Sequence, residues 1–189
     1  MKYRFRRKKI KREFFIFILI AILTLASALG FISTLKLKEK QPLLEIEYNG
    51  KKIKFRSDLR EADQIKVFNG EKIKEILNPN VTKIYIAYKP STNDSLYVIE
   101  IFEIVPKLLI YYFFPKNVNP KFEAMEVEDY SEVFGTKKEP VIVLVHPDYA
   151  NSTFVKAEDF KIIISGITAK DLDLATIKFL LIALGIKLS

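Results

Sequence analysis

PVIVLVHP, residues 140–147, sets five consecutive apolar residues, Val141 to Val145, between Pro140 and His146-Pro147. A strand with one wetted face alternates apolar and polar side chains. An unbroken run rich in β-branched residues belongs to a strand covered on both faces, the habit of sheets flanked by helices. Downstream, Phe154–Ala157 and Lys161–Ser165 read as a hairpin around Glu158-Asp159, and Gly166 leads to a helix capped by Thr168, with Asp171 three residues on. That helix runs to Leu184, where Gly185 supplies the stop. Its second half, IKFLLIAL, is apolar nearly all round and too short to span a membrane, so it is expected to be the most buried helix of the fold.

Working outward, LLEIEY, Asn49-Gly50 and KKIKFR form the best-determined element upstream. Asn-Gly favours a type I′ two-residue turn. Folding there sets Ile46 against Ile53 and Leu44 against Phe55 on one face, with Glu47 facing Lys52 and Glu45 facing Lys54 on the other. Ile65–Phe68 reads as a short strand, with Asn69 as the cap of a helix carrying Ile73, Ile76 and Leu77. Val81–Tyr88 reads as a further strand. In 98–114, Ile101, Ile104, Val105, Leu108, Leu109 and Tyr112 keep helical spacing, Glu103 can pair with Lys107, and Pro106 predicts a bend. Residues 115–140 are Pro-spotted and acidic and read as a long excursion. The class expected is α/β (or α+β) with an added antiparallel ribbon.

The chain begins with a different signal. Eight Lys and Arg fall within residues 1–13, and an uncharged apolar run follows from Phe14 to Leu35. As a helix that run is about 33 Å long, enough for a hydrocarbon core of about 30 Å. Eight basic residues before it, against Lys36, Lys38 and Lys40 after it, favour a cytoplasmic N-terminus. The expected organisation is therefore a basic tail (1–13), a transmembrane helix (14–35), a stalk (36–42) and an extracytoplasmic domain (43–189). The rival is a signal peptide cut at Ala26-Ser27-Ala28, releasing a secreted domain. Twin-arginine and pilin-like leaders fit less well, because Lys8-Lys9-Ile10 follows Arg6-Arg7 and Glu13 lies outside the apolar run.

The net charge of +8 is local to the tail: residues 1–13 carry +7, and the remaining 23 basic and 22 acidic groups leave +1. The outer domain has no footprint for nucleic acid. The expected partners are the lipid bilayer and other membrane or envelope proteins. With no cysteine, the domain must hold together by burial. Abundant Lys, Glu and Ile resemble hyperthermophile usage. Three sequons, at Asn80, Asn93 and Asn151, lie in apparent turns and are candidate glycosylation sites.

Chemistry is sparse. His146, the single histidine, stands with Asp148 at the end of a predicted strand, where α/β sites gather. The two residues are the candidates for an anchored enzyme. The tripeptide His146-Pro147-Asp148 matches the J-domain loop signature but follows a strand rather than a basic helix. Glu126, Glu128 and Asp129, within the acidic run from Glu123 to Glu132, could hold a hard cation but lack EF-hand spacing. Tyr111-Tyr112-Phe113-Phe114 reads as core packing in preference to a binding patch. No nucleotide-binding, serine-hydrolase or zinc-peptidase motif occurs, and no cofactor is expected.

The stretch ANSTFVKAEDFKIIISGITAKDLDLATIKFLLIALG resembles the C-terminal part of uncharacterised single-span surface proteins of small archaea. The features are a sequon loop before a strand, an apolar triplet before Gly166, and a helix opening with Asp171, Leu172 and Ala175. The resemblance implies an archaeal, membrane-tethered surface protein and no activity. The function expected is a non-enzymatic, envelope-associated binding or scaffolding module. A pocket converging on His146 would instead favour an enzyme, whereas an apolar patch favours a partner surface.

Overall fold

The computed structural model describes residues 43–188. The basic tail, the apolar run with its Ala28 site and the stalk lie outside them. No helix among the described residues is long and apolar enough to cross a membrane. The described residues form an α+β fold with four α-helices, a two-stranded ribbon and a six-stranded mixed sheet.

The ribbon pairs β1 (Glu45–Tyr48) with β2 (Lys51–Lys54) in the expected register, Ile46 opposite Ile53 and Glu45 opposite Lys54. Asn49 and Gly50 both take positive φ, 50° and 72°, as a type I′ turn demands. One ion pair differs from expectation. Lys52 reaches diagonally to Glu45 (2.8 Å) and not to Glu47 opposite it, and Lys54 approaches the same carboxylate at 3.7 Å. Ile53 and Phe55 are buried, so the ribbon is a lid on the main core.

After α1 (Leu59–Asp63) come β3 (Lys66–Phe68), α2 (Glu71–Ile76) and β4 (Lys83–Tyr88). Asn69 does not cap α2. It sits at φ +54°, its amide donates to the Ala157 carbonyl (3.1 Å), and Gly70 takes the cap position without a side-chain bond. Then follow α3 (Ser95–Lys107), a π-helical turn (Leu108–Phe113) and a 3-10 turn (Phe114–Lys116). Pro106 has no N–H for the Phe102 carbonyl. Just past it the helix widens into the π turn, with the Leu108 N–H shared between the Ile104 and Val105 carbonyls.

The long excursion contains a strand the sequence did not disclose, β5 (Lys121–Glu126), an edge strand parallel to β4. It escapes the pattern because most of its side chains are exposed. β6 (Val141–Val145), β7 (Phe154–Glu158), β8 (Lys161–Ser165) and α4 (Ala169–Leu184) complete the chain. The β7–β8 turn lies at Asp159-Phe160, one residue later than expected, and both residues take positive φ. The sheet order is β3-β7-β8-β6-β4-β5, parallel except between β7 and β8.

α4 lies against β7 and β8 and touches α1, α2, α3 and the π turn. Eleven of its residues are buried, Thr168 Oγ1 accepts from the Asp171 N–H, and Gly185 (φ +76°) ends it. The large core lies between sheet and helices. A smaller one, Ala87, Val133, Val141 and Val143, lies on the opposite face with Val127 and Tyr130 packed on it. β6 is thus covered on both sides, as its unbroken apolar run required.

Where β8 turns into α4 the backbones nearly touch. A Cβ on Gly166 would stand 2.1 Å from the Leu172 nitrogen. Gly166→Ala is therefore expected to lower the urea midpoint, at a cost of about 1–3 kcal/mol from overpacking. An unchanged midpoint would show that the α4 N-terminus can retreat.

Candidate functional site

β4, β5, β6 and β8 run in one direction, so their C-terminal ends share an edge, the face where sheet proteins of this kind gather ligands. His146 stands there, directly after β6, but is only 2% exposed. The Tyr97 ring (5.4 Å) and the Tyr149 ring (6.5 Å) enclose it. Its Nδ1 accepts the Asp148 N–H (3.2 Å) and lies 3.3 Å from the Asp148 carboxylate, which also accepts from Thr92 (3.2 Å). His146 Nε2 is buried without a hydrogen-bond partner among the described residues, while the neighbouring phenols are committed. Tyr97 donates to the Lys89 carbonyl (2.6 Å) and Tyr130 to the Leu144 carbonyl (3.0 Å), and burial raises both pKa values. The adjacent cleft is lined by Lys89, Pro90, Glu126, Val127 and Glu128, and His146 does not reach it. The structure brings His146 and Asp148 together as a packed loop closure, without a shared pocket.

The acidic candidates Glu126, Glu128 and Asp129 line one open cleft with Glu132. Glu126 ends β5, and Asp129 caps the turn Tyr130–Glu132. There the Ser131 N–H (2.8 Å) holds the Asp129 carboxyl below its ordinary range. No group of three or more His, Asp or Glu among the described residues is arranged to hold a metal ion. Asn80, Asn93 and Asn151 are all exposed. The Tyr111–Phe114 run is divided: Tyr112 and Phe113 are core, while Phe114 is half exposed.

The feature that sequence reasoning missed is the orientation of α3. Its inward face runs Tyr97, Glu100, Ile104, Leu108, a three- and four-residue spacing with an acid at a core position. Glu100 is 1% exposed, and Glu103 is also buried. Across from them Asp173 of α4 is buried, accepting a hydrogen bond from the Ser57 hydroxyl. Arg56 stands between the helices, 3.8 Å from Glu100 and 3.6 Å from Asp173, while Lys107 pairs with Glu103 at 2.7 Å. Three carboxylates thus face two cations. The Thr176 hydroxyl approaches Glu100 too loosely for a good hydrogen bond, and Glu100 Oε2 has no hydrogen-bond partner among the described residues. Burial is the main reason that the Glu100 pKa rises from 4.5 to about 7, with Asp173 and Glu103 adding to it and Thr176 and Arg56 opposing it.

The outward face is the complement. The exposed residues between Ser95 and Pro115 include no charge: Val98 (52%), Phe102 (71%), Pro106, Ile110 (43%) and Phe114 (50%) follow one another at four-residue intervals. On a pure α-helix each such step drifts by about 40°. The π turn rotates less per residue and keeps the stripe on one side. Beside it a largely apolar groove, formed with Phe122, Glu123 and Ala124 of β5, lies along the sheet edge. The signal available in sequence was the five-membered i, i+4 series, but an equally apolar inward series masks it.

Glu100 sets a pH dependence whose sign is fixed. Its folded pKa lies above the 4.5 of a free glutamate, so the folded state holds a proton that the unfolded chain releases. The stabilisation is complete below 4.5 and is lost as pH rises towards 7, on the order of 3 kcal/mol in all. Urea unfolding at pH 5 and pH 8 is expected to show this fall, and Glu100→Gln is expected to flatten it. A wild-type slope that survives in Glu100→Gln would assign the proton elsewhere. No family model matches the chain, nor does any curated protein or any solved structure.

Proposed function

We propose that the protein is a single-pass membrane protein with its N-terminus in the cytoplasm and an outward domain that works as a non-enzymatic docking module at the envelope. The observation that carries this reading is the uncharged face of α3, where Phe102 is 71% exposed. Scattered exposed apolar residues are ordinary, but a contiguous stripe marks an interaction surface. The basic tail and the run Phe14–Leu35 support the anchor and its orientation. The closed surroundings of His146 argue against an enzyme using it. Exposure of Asn80, Asn93 and Asn151 is compatible with glycans on an archaeal surface protein, and that origin belongs to the same proposal.

Two measurements test it. With a C-terminal tag on intact cells, external protease is expected to remove the domain from a full-length, membrane-bound chain. A soluble product beginning at Leu29 would replace the anchor with a signal peptide, and full protection would reverse the topology. Phe102→Ser is expected to change stability by no more than about 0.5 kcal/mol, as at other free surfaces. A loss of about 3 kcal/mol or more would identify Phe102 as core, and the docking face would fall.

A further inference from the structure

The stripe on α3 needs an occupant, and three observations select one. The first is reach. The stalk between Leu35 and Leu43 is seven residues long, so it extends no more than about 25 Å. The described domain begins at that stalk with the ribbon, and the ribbon touches the far end of the stripe, where the Tyr111 hydroxyl donates to the Lys52 carbonyl (3.4 Å). Ile110 and Phe114 flank Tyr111 on the same turns.

The second is charge. Lys51, Lys52 and Lys54 line β2 and Lys121 opens β5, all of them exposed, whereas the Lys116 ammonium is seated over the Tyr112 ring. Glu45 offsets part of the ribbon's charge through Lys52 and Lys54, and the acid beside Phe102, Glu123, is itself paired with Lys83 at 3.1 Å. Lysines bordering a Phe- and Ile-bearing helix face are what an anionic lipid surface attracts. The third is shape. The stripe from Val98 to Phe114 is one helix wide and about 24 Å long, a ridge suited to a flat apolar layer.

We infer that the face formed by Val98, Phe102, Pro106, Ile110 and Phe114 lies on the bilayer in which the chain is anchored, with the bordering lysines against anionic lipid headgroups. This rests on the anchor proposed above. α3 then lies along the interface, with its apolar side chains at the headgroup boundary and its acids turned into the protein. The domain is held flat against the membrane and presents the opposite sheet face outward.

The chain contains no cysteine, so single cysteines can be introduced without background. Full-length Phe102→Cys, Ile110→Cys and Glu132→Cys, each carrying an environment-sensitive fluorophore, would be reconstituted in vesicles of phosphatidylcholine with phosphatidylglycerol. Lipids bearing a nitroxide on the acyl chain would serve as quencher. Quenching at positions 102 and 110 is expected to exceed that at 132 by at least about twofold, and to weaken when phosphatidylglycerol is omitted. Equal quenching at all three positions in floating vesicles would overturn the docking and leave the anchor intact. Energy transfer between labels at 102, rising with protein density without lipid quenching, would put a second copy on the stripe and also overturn it. Wild-type chain that fails to float with the vesicles would overturn the anchor itself.

Discussion

Arg56 lies between Glu100 on α3 and Asp173 on α4, 3.8 Å from one carboxylate and 3.6 Å from the other, and the roll of α3 that puts Glu100 there is held by the buried side chains of the same face, Tyr97, Ile104 and Leu108. Rotating the helix about its axis would carry Tyr97, Ile104 and Leu108 out of the core and take Glu100 away from Arg56. Each fully buried apolar side chain contributes about 1.5–3 kcal/mol, so the roll is strongly held. Helical geometry dictates the remainder. With Tyr97, Glu100, Ile104 and Leu108 inward, Val98, Phe102, Pro106 and Ile110 must face out.

Two local losses accompany this arrangement. Phe102 forgoes about 1.5–3 kcal/mol that full burial would contribute. Glu100 must hold a proton at neutral pH or stand as an excess charge beside Asp173 and Glu103. A helix selected only for stability in water would place Phe102 inside and Glu100 outside. The local rules are broken together, on α3 and on the facing Asp173 and Thr176 of α4, and such concentration is expected where a surface has work to do. The ribbon and the sheet follow ordinary rules around it, which gives α3 a rigid support.

What was legible in the sequence was local. The register of the ribbon followed from Asn49-Gly50 and alternation, and both ends of α4 followed from Thr168, Asp171 and Gly185. Val141–Val145 announced its two covered faces in five letters. β5 was hidden because an edge strand with exposed Lys121, Glu123 and Glu126 carries no periodic apolar signal. His146 was placed correctly at a strand end, but its burial depends on Tyr97, 49 positions earlier, which spacing does not reveal. The cluster of Arg56, Glu100 and Asp173 was invisible for the same reason: each residue alone reads as a solvated charge, and the chain path alone brings them together.

The most direct measurement is the titration of the Glu100 side-chain carboxyl followed by carbon-13 NMR on the full-length protein, assigned by comparison with Glu100→Gln. An inward-facing Glu100 is expected to titrate near 7. A midpoint near the free value of 4.5 would put the carboxylate in water, roll α3 over, and return Phe102 to the interior.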